Sequence, residues 1–109
     1  MSKSSLGEFE EIVLLTVAVL HEEAYGVAII KEIKDRLKRG VSVGATQTAL
    51  RRMEQKGFLT STFGEATKVR GGKRKKYFRI TPYGLKVLRE AKEARQQLWT
   101  AIPRAILDM

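Results

Sequence analysis

The sequence predicts an α+β fold, mostly helical, in which three helices precede a two-stranded ribbon and one C-terminal helix follows it. Three observations carry this expectation. Apolar residues recur at helical spacing through the first half of the chain, two short stretches near the middle alternate like strands, and Thr81-Pro82 opens a last helical pattern. A chain of 109 residues has room for a single domain. Residues 1–81 are expected to form the three helices and the ribbon, and residues 82–109 a terminal helix in the same compact unit.

The first helix is expected from Leu6 to Leu20. Phe9, Ile12, Val13, Thr16, Val17 and Leu20 line one face, and Leu14, Leu15, Ala18 and Val19 make the other face apolar too. A helix apolar on both sides needs two partners, one in its own domain and one from the C-terminal helix or a second subunit. The next helix is expected to begin between Ala24 and Gly26, with Val27, Ile30, Ile33, Lys34 and Leu37 on its inner stripe, and to end near Arg39 with Gly40 as the stop. Ser42 is then placed to cap a third helix that runs through Leu50 and Met53 to Lys56 and stops at Gly57. Helix, short turn, helix is the helix-turn-helix order.

Phe58 to Phe63 and Lys75 to Ile80 alternate as strands, with Phe78 and Ile80 on one side and Tyr77 and Arg79 on the other. Gly71 and Gly72 supply the positive φ of a tight turn between them. The ribbon completes a winged helix-turn-helix. Thr81 then caps the last helix, Pro82 takes its first position, and Leu85, Leu88, Ala91, Leu98, Trp99 and Ile102 form its apolar stripe, which Pro103 ends or kinks.

Charge points to a polyanionic partner. The net charge is +9 and the isoelectric point near 10.1. The first thirty residues nevertheless hold five acids against one base, whereas seven bases and no acid lie between Lys68 and Arg79. A basic, turn-tipped ribbon beside a helix-turn-helix is suited to phosphates, although a solvated strand edge is the plain reading of any isolated charge run. The chain has no Cys and one His, so no metal site or cofactor is expected. Its longest apolar stretch, Ile12 to Leu20, is too short to cross a bilayer and follows acids, which argues against a signal peptide. A cytoplasmic protein is expected. Glu8, Glu10, Glu11, Glu22 and Glu23 have nothing to activate them, and no enzyme is expected.

Three blocks in order resemble the PadR family of transcriptional regulators. They are LGEFEEIVLL (Leu6 to Leu15) with AYGVAI (Ala24 to Ile29), SVGATQTALRRMEQKGFL (Ser42 to Leu59), and GGKRKKYFRITPYG (Gly71 to Gly84). The resemblance implies a winged helix whose C-terminal helix packs with the first helix across a homodimer, acting as a repressor on operator DNA. The short tail is similar to that of the small members. Where the family usually carries an aliphatic residue and then a tyrosine, this chain has Thr46 and Gln47. Gln47 is a candidate to read adenine or to bond a phosphate.

The candidate DNA contacts are Ser42, Ala45, Thr46 and Gln47 at the start of the third helix, Arg51 and Arg52 further along it, and Lys73, Arg74, Lys75, Lys76 and Tyr77 of the wing. Gly44, Ala45 and Ala49 keep that helix slim. Arg51 and Arg52 are read as backbone contacts, with an ion pair to Glu54 as the alternative. The candidate dimer interface is Phe9, Val13, Leu88, Leu98, Trp99 and Ile102, isologous and matched to an inverted-repeat operator in double-stranded DNA. Trp99 is read as a packing anchor at the seam, or else as a shelf for a small aromatic effector. A winged helix that binds another protein or RNA is the alternative function, separated from the first by whether the chain selects a duplex sequence.

Overall fold

Helix α1 spans Glu8–Leu20 and is followed by a 3₁₀ turn over His21–Glu23. Helix α2 spans Gly26–Leu37, α3 Val43–Gln55, strand β1 Leu59–Phe63, strand β2 Lys76–Ile80, α4 Pro82–Ala101 and α5 Arg104–Leu107. The computed structural model describes residues 6–64 and 74–109.

The core is a contiguous cluster drawn from every layer: Val13, Leu14 and Val17 of α1, Ile29 and Ile33 of α2, Leu50 and Met53 of α3, then Phe58, Leu59, Phe78, Val87 and Leu88. Burial of these side chains is the main force holding the three helices to the ribbon, at about 1.5–3 kcal/mol for each large one. In α1 the inward residues are Val13, Leu14, Thr16 and Val17, while Leu15 and Val19 face out. Val13 therefore packs inside its own protomer, which corrects its placement at a dimer interface. Leu88 is likewise buried beneath α4, at 6% exposure. Hydrophobic periodicity shows that α1 has two apolar faces, and packing against α2 and α3 decides which of them is internal.

Helix α2 departs from expectation at its end and on its stripe. It stops at Leu37 because Lys38 takes the left-handed conformation, with φ 53° and ψ 39°, two residues before Gly40. Ile29 and Ile33 point inward, whereas Val27 and Leu37 are 73% and 52% exposed. Helix α3 behaves as its sequence suggests. Ser42 caps it by accepting from the Ala45 amide at 3.0 Å, and Gly57 at φ 85° ends it. The amides of Gly57 and Phe58 return to the carbonyls of Glu54 and Met53, the double bond of a Schellman motif.

Strands β1 and β2 pair antiparallel with Leu59 opposite Ile80 and Phe63 opposite Lys76. The free edge of β2 meets the chain ahead of α2: Phe78 N–H donates to the Ala24 carbonyl at 2.8 Å, and Tyr25 bridges Tyr77. This ties the wing to the helix-turn-helix. Thr81 makes the second tie, since its hydroxyl caps α4 through Gly84 N–H at 2.9 Å while donating to the Gly57 carbonyl at 2.7 Å. Beyond Leu88 the side chains of α4 are largely exposed up to Ile102, where the helix ends before Pro103 as expected.

Candidate nucleic-acid interface

The N-terminal half of α3 and the wing lie side by side, each held by the features above. Thr46, Ala49, Leu50 and Met53 form the buried side of α3. Thr46 is fully buried, and its hydroxyl donates to the Ser42 carbonyl at 2.9 Å. Thr46 is thereby removed from the candidate DNA contacts: it takes the place of the family's aliphatic residue by satisfying its one polar atom on the preceding turn. Ser42, Ala45, Gln47, Arg51 and Arg52 are exposed. A rotation of about 100° per residue puts Gly44, Thr48, Arg51 and Gln55 opposite the buried side, and all four are exposed. Thr48 and Gln55 were missed from sequence, although extending the inward period of Thr46, Leu50 and Met53 would have found them.

Gln47 lies on the flank toward α2, where its Nε2 is 3.0 Å from the position that a Cβ on Gly26 would occupy. Together with Tyr25, Val27, Lys75 and Lys76 it lines a small cavity of about 190 Å³ where α2 begins. Arg52 lies on the opposite flank, toward α1. Its Nε is 3.9 Å from one oxygen of Glu10, and Lys56 Nζ is 3.4 Å from the other. Glu54, the alternative partner for these arginines, is occupied by the Ser61 hydroxyl at 2.6 Å and Lys76 at 3.8 Å. Between α1 and α3 runs an open cleft of about 720 Å³, lined by Phe9, Glu10, Ala45, Thr48 and Arg52 among others. Phe9 therefore lies on the α3 side of α1, away from α4.

On the wing, Arg74 donates from Nε to the Gly64 carbonyl at 2.8 Å, closing the ribbon beyond its last paired residues. Lys75 places its ammonium 4.1 Å from the centre of the Tyr25 ring, and Tyr77 meets that ring edge-on with centroids 5.5 Å apart. Tyr77 is half-buried and serves this aromatic joint. Lys73 and the Gly71-Gly72 turn lie outside the described residues. On α2, Lys31 bonds Asp35 at 2.7 Å, which raises the lysine's pKa and lowers the carboxyl below its usual value. Among the described residues no set of His, Cys, Asp and Glu could hold a metal ion, and no helix is long and apolar enough to cross a membrane.

A second surface feature lies between α1 and α4. A groove of about 440 Å³ is lined by Leu15, Ala18, Leu85, Leu88 and Trp99, with Glu11, Arg89, Lys92 and Arg95 at its polar edge. Arg95 pairs with Glu11 across it, and the bond raises the arginine's pKa. Leu98 and Trp99 are 72% and 62% exposed. Of the candidate interface residues, Leu98 and Trp99 are exposed, and Phe9 and Ile102 are half-buried.

Two adjoining helices, the second with a slim exposed start, and a basic ribbon fastened beside them define a winged helix-turn-helix protein, the class that sets its second helix in the major groove. The sequence model of the transcriptional regulator PadR-like family matches residues 14–90. The chain belongs to that family. Among solved structures it is similar to a PadR family transcriptional regulator from Eggerthella lenta, at 32% identity and TM-score 0.67 over 85% of this chain and 80% of that one. A PadR-like transcription factor from Bacteroides fragilis gives 27% identity and TM-score 0.70 over 83% and 82%. A transcriptional regulator from Clostridium thermocellum gives 27% and 0.69 over 82% and 83%. No curated protein matches the chain significantly.

Proposed function

We propose that this regulator is a homodimeric repressor that binds an inverted-repeat operator in double-stranded DNA and is released by a small aromatic effector. The observation that carries the reading is the presence, on one protomer, of a slim exposed recognition helix and of an uncovered apolar groove elsewhere. The first is suited to a major groove. The second, with Leu15 and Trp99 exposed at it and Val19 and Leu98 exposed on the same two helices, is the kind of surface that a second copy covers. In this reading Ser42, Ala45, Gln47 and Arg51 contact the operator from α3, Arg74 and Lys75 contact phosphates from the wing, and α1 and α4 supply the dimer seam. Trp99, at the groove, is the residue on which a flat effector would stack. An effector releases DNA only by binding the DNA-competent arrangement less well than another.

The test is a titration of duplex DNA across a range of salt concentrations. The logarithm of affinity is expected to fall linearly with the logarithm of salt as counterions are released. Replacing Arg74 and Lys75 by Ala together is expected to weaken all duplexes alike and to flatten that slope. A binding curve that ignores salt would remove the DNA-binding reading for this surface.

A further inference from the structure

Arg51 and Arg52 are adjacent in sequence, but the fold gives their charges different surroundings. Three sectors of α3 are exposed. Gln47 leans toward Gly26 on one flank, and Arg52 faces Glu10 on the other. Between them, directly opposite the buried side, lies the line of Gly44, Thr48, Arg51 and Gln55. When a helix enters the major groove, the residues opposite its buried side face the base edges, and those on its flanks face the phosphate walls. Gly44 and Thr48 are short, and a Cβ on Gly44 would meet nothing within 4 Å. That side of the helix can approach the groove floor with Arg51 as its one long, charged side chain.

Glu10 strengthens the distinction. Its side chain is only 15% exposed, and its two oxygens face Arg52 and Lys56, at 3.9 Å and 3.4 Å. These cations join α3 to α1, and Glu10 offsets part of their charge. Among the described residues, Arg51 pairs with no carboxylate. Its guanidinium is free to offer a planar pair of donors.

We propose that Arg51 is the specificity-determining residue of the recognition helix, donating two parallel hydrogen bonds to O6 and N7 of a guanine, while Arg52 is a positioning residue tied to Glu10. The assignment rests on the DNA-binding reading above. Bidentate Arg–guanine pairing is the strongest discriminating contact open to a single side chain in the major groove, and lysine cannot reproduce its fork.

The test begins by selecting duplexes from a randomised pool with the full-length wild-type chain. The selected duplex, and versions with each G·C pair replaced in turn, are then titrated with wild type, R51A, R51K, R52A and E10Q, each first checked for wild-type helical content by circular dichroism. Wild type is expected to lose roughly 5- to 150-fold in affinity when one particular guanine of each half-site is replaced. R51A should bind both duplexes equally, R51K should keep only part of the preference, and R52A and E10Q should keep all of it. If R51A still distinguishes every guanine that wild type does, or if R52A and not R51A loses the preference, the assignment is overturned while DNA binding stands. If wild type selects no sequence, sequence-specific DNA reading fails and the assignment with it.

Discussion

Gly84 shows how one residue can be decided by a neighbour's backbone. A Cβ there would lie 2.3 Å from the Phe58 carbonyl oxygen, so α4 can start against the end of α3 only if position 84 has no side chain. Gly84→Ala is expected to destabilise the chain by about 1–3 kcal/mol, the usual range for overpacking where backbone must move; urea unfolding followed by circular dichroism measures it. The sequence presents Thr81-Pro82 as a helix start, yet nothing in it names Phe58 as the obstacle to a side chain at position 84. Thr46 gives the opposite lesson. Its hydroxyl made it look like a groove contact, while the period of Leu50 and Met53 already placed it inward. Periodicity outranks polarity when a polar atom can be satisfied on the residue's own helix.

At the scale of elements, α1 to α4 and both strands were legible because caps, glycines and periodicity agree on them, whereas the short α5 after Pro103 was not expected. The exceptions have local causes. Helix α2 ends early because Lys38 adopts a left-handed conformation that glycine would take without a steric penalty. Lys38→Gly is therefore expected to stabilise the protein by about 1 kcal/mol in thermal or urea unfolding, with no change in fold. On the same helix, Asp35 titrates below its ordinary 3.8 because Lys31 bonds it. A depressed carboxyl pKa stabilises the folded state above the ordinary value, and that contribution is lost as pH falls through the depressed one. Wild type should therefore melt slightly above Asp35→Asn near neutrality, and the two should converge in acid as pH falls below 3.8 and through the depressed value. Salt should narrow the neutral difference, since the pair is exposed. The bond from β2 to Ala24 was not legible, because a two-residue edge partner has no period to detect.

At the scale of the molecule, the sequence's charge asymmetry survives as a division of labour. Glu8, Glu10 and Glu11 of α1 face Arg39, Arg52 with Lys56, and Arg95, so the acidic start of one helix fastens parts of three neighbours. Of the residues expected at a dimer interface, Leu98 and Trp99 are exposed and Ile102 is half-buried, whereas Val13 and Leu88 were taken by the core. From the exposed set, Leu98→Glu is expected to shift sedimentation equilibrium at micromolar concentration toward monomer and to weaken operator binding at least tenfold. The wild type's only tryptophan, Trp99, should shift its emission to the red on dilution as the seam opens. A species of unchanged mass for Leu98→Glu would place the seam elsewhere.

Thr81 has a mechanical consequence. It is the joint at which the base of α4 is bolted to the last carbonyls behind α3, and from there a 20-residue helix extends for roughly 30 Å. Such a helix is a lever with its fulcrum at the reading head. A few degrees of swing moves Trp99 by ångströms and the fulcrum hardly at all. If two copies join through this helix, as proposed, force applied at its far end would re-aim one reading head relative to the other without reshaping either.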